Sequence, residues 1–229
     1  MNTVHATATI GPEVTLGDGN VVGPGVVLLG PLTVGEDNWF GANSVIGAPA
    51  EIRGIDHGAA WDGQLVGAGL VIGSRNVFRE LVTIHQGHYE TTLVGSDCYV
   101  MNKVYVGHDG QVDNGVTMAS SVTLGGHVCI GAGANLGMNT VVHQRRIVGP
   151  GAMVGMGSVV TRNVPPHAKA FGNPCRVHGA NEVGMTRAGL PQTAVAELAT
   201  AYRGGVVPEQ VGDDSLLTAW HWWRERSGT

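Results

Sequence analysis

The sequence predicts an all-β solenoid, a parallel β-helix of hexapeptide repeats with a small α-helical region at its C-terminal end. Three observations predict it: an apolar residue at every sixth position, an excess of glycine, and a shortage of charge. Of 229 residues, 37 are Gly and only 14% are Asp, Glu, Lys or Arg, whereas an ordinary chain carries ~25% charge. A chain with 43% apolar residues and a net charge of −5 has enough apolar surface to bury and too little charge to remain unfolded. The 13 basic residues against 18 acidic ones leave no global positive field for nucleic acid or anionic lipid, so any anion site is local.

The repeat runs through Val4, Ile10, Leu16, Val22, Leu28, Val34, Phe40 and Ile46. It resumes at Val66, Ile72, Phe78 and Ile84, then continues from Val94 through Val100, Val106, Val112, Met118, Leu124, Ile130, Leu136, Val142, Val148, Val154 and Val160. A period of six is neither the 3.6 of a helix nor the two of a simple strand. It suits a short strand plus a corner, three of which close a triangular coil with the apolar residue on the axis. These units make about eight coils, roughly 38 Å tall at ~4.8 Å per strand spacing.

Two interruptions break the phase, and a solenoid expels insertions on one side, often the binding side. The first spans about 48–65 and carries Asp56, His57, Trp61 and Asp62; the second spans about 88–93. The paired prolines Pro165 and Pro166 are expected to stop the coil, which gives a solenoid over 1–165 and a C-terminal extension over 166–229. In that extension Gln192–Arg203 and Ser215–Arg226 read as helices, the second capped by Ser215. They are expected to cap the open coil end or to pack on a neighbouring subunit, with Trp220, Trp222 and Trp223 serving packing rather than a ligand. The N-terminal stretch lacks a basic segment followed by an apolar one, and no run approaches ~20 apolar residues, so no transmembrane segment is expected. Cys98, Cys129 and Cys175 stand at no metal-ligand spacing, which fits a reducing, cytoplasmic setting and no structural metal.

Counting three units per coil, the units beginning at Val66, Ile84, Val106, Leu124, Val142 and Val160 stack on one face. Five of the ten histidines (His85, His88, His108, His127 and His143) fall there. His108 lies beneath Gly126 and then Gln144, and Asp109 beneath His127 and then Arg145. Histidine serves as a general base near neutrality, Asp109 is placed to orient it, and the Gly126 backbone N–H is free to meet an oxyanion. No Ser or Cys stands beside His108 to form an acyl-enzyme, so the column suits direct attack of an amine or hydroxyl on a thioester.

The stretches IGSRNVFRELVTIHQG (72–87), GHDG (107–110), LGGHV (124–128), VVHQ (141–144) and NVPPHAKAFGNP (163–174) resemble the UDP-N-acetylglucosamine acyltransferases of lipid A biosynthesis. The resemblance extends over about Val4 to Arg203. It implies a left-handed β-helix, a homotrimer with active sites between subunits, and no bound cofactor, with acyl-ACP or acyl-CoA as co-substrate. It also implies His108 as general base, Asp109 as its partner, Gly126 as oxyanion donor, and His85, His127, His143 and Gln144 as substrate contacts. Some positions depart from the family. Ser74 stands where an acidic sugar contact is usual, and Tyr105 where a His is usual; the tail keeps Asn181 and Arg187 but has Ala188 in place of a second Arg. The resemblance implies that Met156 matches a family position along the acyl groove, where it is expected to shorten the groove and select a short or medium acyl group.

Acyl transfer to a sugar or nucleotide sugar is therefore the leading expectation. Arg145, Arg146 and Arg162, together with Lys169 and Arg176, are placed to bind donor phosphate or an acidic carrier protein. Two other readings compete with it. One is a metal hydrolyase resembling the γ-carbonic anhydrases, with His108 and His127 as ligands; the other is a trimeric scaffold in which the histidine column is accidental.

Overall fold

The computed structural model describes residues 1–55 and 67–228. Asp56, His57, Trp61, Asp62 and Val66 lie outside the described residues. The chain winds into a left-handed parallel β-helix of about nine turns. Strands of two to four residues stack in parallel on three faces. The first face is laddered through Val4, Val22, Phe40, Phe78 and Val100 up to Val154. The second runs through Ile10, Leu28, Ile46, Ile84 and Val106 up to Val160. The third runs through Leu16, Val34, Ile72 and Val94 up to Val148.

The six-residue period has the physical meaning expected of it. From Val22 to Val160 the described axial residues are at most 2% exposed, and each stabilises the coil by about 1.5–3 kcal/mol through burial. Phe40 and Phe78 stack on the axis, 5.2 Å apart and 9° from parallel. Beside them Asn76 donates to Asn38 and Asn38 to Asn20 through buried side-chain amides, satisfying polar groups that the corners leave inside. Val4 and Ile10 are 44% and 40% exposed because no coil stacks beneath them.

Ile84 pairs directly with Ile46, and Ile72 with Val34. The ladder therefore passes straight across the first insertion, leaving no tier between Ile46 and Ile84 for a unit at Val66, contrary to the sequence count. Both insertions leave the prism between its second and third faces. The same edge carries His108, Gly126 and Gln144 above them.

The prolines turn the coil without ending it. Pro165 and Pro166 occupy a corner, where a missing N–H costs nothing, and Val164 and His167 resume the ladder to Ile147 and Pro150. Ala168–Phe171 then adds in parallel to the first face, and Arg176–Ala180 closes it antiparallel. The stacking thus runs past residue 165. Helices α1 (Glu182–Arg187), α2 (Gln192–Arg203) and α3 (Leu217–Ser227) follow. Met185, Val195, Leu198, Tyr202, Leu216 and Trp220 join the buried core. α2 packs on the Arg176–Ala180 strand, whereas Ser215, Thr218, Ala219 and Trp222 share a cavity with Asp113, Ala132, Gly133 and Pro150, so α3 lies along the edge between the third and first faces rather than over the open coil end. Trp220 is fully buried and its indole N–H donates to Pro208, whereas Trp222 is half-buried beneath Arg226. Ser215 does not cap the last helix. That helix starts from Leu216 with no side-chain cap. Asp213 instead caps the single 3-10 turn Asp214–Leu216 that leads into it, accepting from the Ser215 N–H and hydroxyl, where a carboxylate favours the positive end of the turn. Among the described residues no helix is long and apolar enough to cross a membrane.

Candidate active site

The edge between the second and third faces is built from corners whose third residue adopts a left-handed conformation. Asp109, His127 and Arg145 stand there one above another with φ of 57°, 59° and 59°, a conformation that costs a non-glycine residue about 1–2 kcal/mol. The residue before each of these forms a second column of His108, Gly126 and Gln144. The ladder leaves the N–H of this second column without a strand partner. On the edge between the third and first faces the equivalent N–H groups of Glu36, Ser74 and Ser96 are capped by the side chains of Ser74, Ser96 and Asn114. Gly126 offers His108 no such side chain, and the His108 N–H is met instead by Glu51 Oε1 at 3.3 Å. The N–H of Gly126 has no partner among the described residues.

His108 and Asp109 form a dyad. Nδ1 lies 2.5 Å from Asp109 Oδ2, and because an ionised carboxylate only accepts, Nδ1 carries a proton, which in the neutral imidazole makes Nε2 the acceptor nitrogen. The other oxygen, Oδ1, accepts the N–H groups of His88, Tyr89 and Glu90 at 2.9, 2.9 and 2.7 Å. Burial pushes the Asp109 carboxyl up, but the Glu90 N–H, the His108 ring and the other two N–H groups together hold it below its usual range. The dyad and the second insertion therefore share one carboxylate.

A Cβ at Gly126 would stand 2.5 Å from His108 Nε2. Only glycine lets the imidazole lie against this coil, so the basic nitrogen and the uncapped N–H are adjacent. His127 meets His108 edge-to-face at 5.1 Å. Its Nε2 is buried without a hydrogen-bond partner, 3.5 Å from Asp109 Oδ2. Burial, more than the neighbouring charges, pushes its pKa down, which keeps the ring neutral near pH 7. His108, Asp109 and His127 present three ligand atoms within 4.8 Å of one another. However, the carboxylate already accepts four donors, so a metal ion would have to displace the His108 ring.

His85 belongs to a second cluster on this edge. Its Nδ1 lies 2.5 Å from the Pro49 carbonyl and 3.3 Å from Glu51 Oε2, and its ring tilts against Tyr105 at 5.1 Å. Burial first, and then the hydrogen bond to Glu51, push the Tyr105 phenol strongly up. Glu51 thus joins His85, Tyr105 and the backbone of His108. Sequence reasoning missed it, attending to Asp56, His57, Trp61 and Asp62 farther along the same insertion. The available signal was an acidic residue at the first step of a chain that must cross the histidine edge.

The remaining expected residues are scattered. His143 and Gln144 are exposed on the same edge, with His143 Nδ1 3.0 Å from the Gln144 carbonyl. Arg145 is exposed beside His127, while Arg146 has a buried, unpartnered Nε. Arg162 tops the His108 column and lines a 130 Å³ cavity with Arg176; Lys169 lies on the first face. Ser74 sits in the hydroxyl ladder between the third and first faces. Asn181 is spent on structure, capping α1 through Gly184 and donating to the Gly151 carbonyl, and Arg187 is exposed in the last turn of α1. Met156 is 69% exposed on the edge between the first and second faces, where it follows Val154. Within one chain none of these last four residues shares the His108 edge.

A family model described as UDP N-acetylglucosamine O-acyltransferase, domain 2, matches residues 163–206. The chain is 37% identical over 174 residues to the acyl-[acyl-carrier-protein]–UDP-N-acetylglucosamine O-acyltransferase of Burkholderia orbicola, covering 74% of this chain and 63% of that protein. It thus spans slightly less than two thirds of that relative's length. Against the protein of the same name from Paraburkholderia phytofirmans it is 37% identical over 225 residues, covering 89% of this chain and 82% of the relative. The UDP-N-acetylglucosamine acyltransferase structure from Campylobacter jejuni shares the fold with a TM-score of 0.80, over 98% of this chain and 94% of that one at 22% identity. The chain belongs to the UDP-N-acetylglucosamine O-acyltransferase family.

Proposed function

We propose that the protein transfers a short- or medium-length acyl group from an acyl carrier protein thioester to a hydroxyl of UDP-N-acetylglucosamine. The observation that carries this reading is that His108, its Nδ1 held by Asp109, lies with Nε2 against Gly126 on the adjacent coil, whose N–H is uncommitted. In the proposed reaction the acceptor hydroxyl gives its proton to His108 Nε2 as its oxygen bonds to the thioester carbon. The Gly126 N–H takes the developing oxyanion. The carbon–sulfur bond then breaks, and the thiolate leaves with the proton held on His108. Asp109, ionised and buried, favours the imidazolium formed in between. The partner names carried by the relatives supply the donor and acceptor classes, with acyl-CoA as the alternative donor. No bound cofactor is required.

The same reading includes a homotrimer. His108 and Met156 lie on different edges of the prism, and a site using both as base and acyl-length stop needs one copy's His108 edge against another's Met156 edge. Ser74, Asn181 and Arg187 reach the acceptor only across such a contact. In this reading His85, His127, His143 and Gln144 touch substrate, Arg145, Arg146 and Arg162 meet the donor's phosphate, and the protein works in the cytoplasm, where its three free thiols persist. The test offers acyl carrier protein and CoA donors of graded length to UDP-N-acetylglucosamine, N-acetylglucosamine and free amino sugars. Products are weighed by mass spectrometry. An O-acylated nucleotide sugar supports the reading; an amide product or no product overturns it.

A further inference from the structure

We infer that Tyr89 is a specificity-determining residue of the acceptor site, its ring forming a platform for the hexose of the nucleotide sugar; this rests on the function proposed above. Tyr89 is 68% exposed, yet every neighbour fixes it. Its N–H is one of the three held by Asp109 Oδ1. Its ring stacks on His127 at 5.8 Å and 24°, and meets His88 edge-on at 4.5 Å. The loop beneath it is pinned on both sides. Thr91 Oγ1 donates to the Ala68 carbonyl, Gln111 Nε2 donates to the Thr91 carbonyl, and the Gly87 N–H donates to Gly69. Gly87 has no side chain because the Glu90 carbonyl occupies the place a Cβ would take.

A large exposed aromatic held this firmly beside a catalytic dyad has an energetic use in binding, because a preorganised ring loses little entropy when a ligand lands on it. Two ring-to-ring steps, of 5.8 and 5.1 Å, separate Tyr89 from the base, a span that a hexose and its substituents cover when one hydroxyl reaches His108. The C–H edge of a sugar ring carries partial positive charge and suits the negative face of a phenol ring. The Tyr89 hydroxyl itself makes no hydrogen bond among the described residues, so the face of the ring is what the site offers.

The test measures steady-state kinetics of wild type, Tyr89→Phe and Tyr89→Ala with UDP-N-acetylglucosamine, alongside inhibition by UDP alone and the melting temperature. The expected result is a KM for the nucleotide sugar raised about 2- to 12-fold in Tyr89→Ala. Donor KM, kcat, UDP inhibition and melting temperature stay close to wild type, and Tyr89→Phe behaves as wild type. An unchanged KM in Tyr89→Ala overturns the inference. So does an equal loss in Tyr89→Phe, which assigns the effect to the hydroxyl, or an equal weakening of UDP, which puts the nucleobase on the ring. A wild type that does not acylate UDP-N-acetylglucosamine overturns the parent reading as well.

Discussion

Asp109 grips His108 with one carboxylate oxygen and the 88–90 loop with the other. Catalytic geometry and loop structure therefore fail together when this side chain is removed, whereas removing His108 breaks only the first. Asp109→Ala leaves three loop N–H groups without their acceptor and is expected to destabilise the protein by about 1–3 kcal/mol while also lowering kcat. Denaturant unfolding of Asp109→Ala beside His108→Ala checks this. Equal stability of the two variants would show that the loop does not depend on the carboxylate. The depressed pKa of Asp109 adds a sign: its contribution is present above the ordinary carboxylate range and is lost as pH falls through the lowered value.

Gly126 and His108 are coupled sterically. Gly126→Ala places a methyl on the imidazole and must push the base from its position, so kcat is expected to fall by about 10²-fold or more. The expected structural mark is a displaced His108 ring in a crystal structure of the variant. Undiminished turnover with an unmoved ring would remove Gly126 from the site.

His167 gives the pH dependence of stability. It is buried where α1 meets the solenoid corner, and burial pushes its pKa down to about 4. The unfolded chain binds the proton below ~6.5 and the folded chain only below about 4, so stability rises with pH across that window. Acidification from pH 6.5 to 4 is expected to cost about 3 kcal/mol from this residue. His167→Leu should flatten that part of the stability profile. An equally steep profile in the variant would place the titration elsewhere.

Met156 is expected to limit acyl length. Forcing a longer tail past it costs about 1–3 kcal/mol, or about 5- to 150-fold in kcat/KM. Met156→Gly should shift preference to longer donors with little loss on the short ones. An unchanged length profile, or a wild type already favouring long tails, contradicts this.

The fold was legible because a repeat states the same fact many times: each axial residue votes for the same register, and the His108–Gly126–Gln144 column follows from counting alone. Insertions carry no such redundancy. Nothing in the spacing announced that Glu51 turns back to His85 and Tyr105, or that the second insertion hangs from Asp109, because both contacts are set by loop geometry. Val66 shows the opposite error. It fits the period by composition, yet Ile84 stacks directly on Ile46. Pro165 and Pro166 misled for a related reason, since a proline that breaks a strand is well suited to a corner.

The central claim is direct attack assisted by His108, and single-turnover kinetics with intact-protein mass spectrometry tests it most directly. Wild type and His108→Ala are mixed with acyl carrier thioester and UDP-N-acetylglucosamine, and both product and protein are weighed over time. The account predicts an O-acylated product with no acyl-enzyme at any time, and a rate about 10²- to 10⁴-fold lower in His108→Ala at unchanged melting temperature. A protein mass increased by one acyl group on the path to product, or near wild-type turnover without His108, would contradict it.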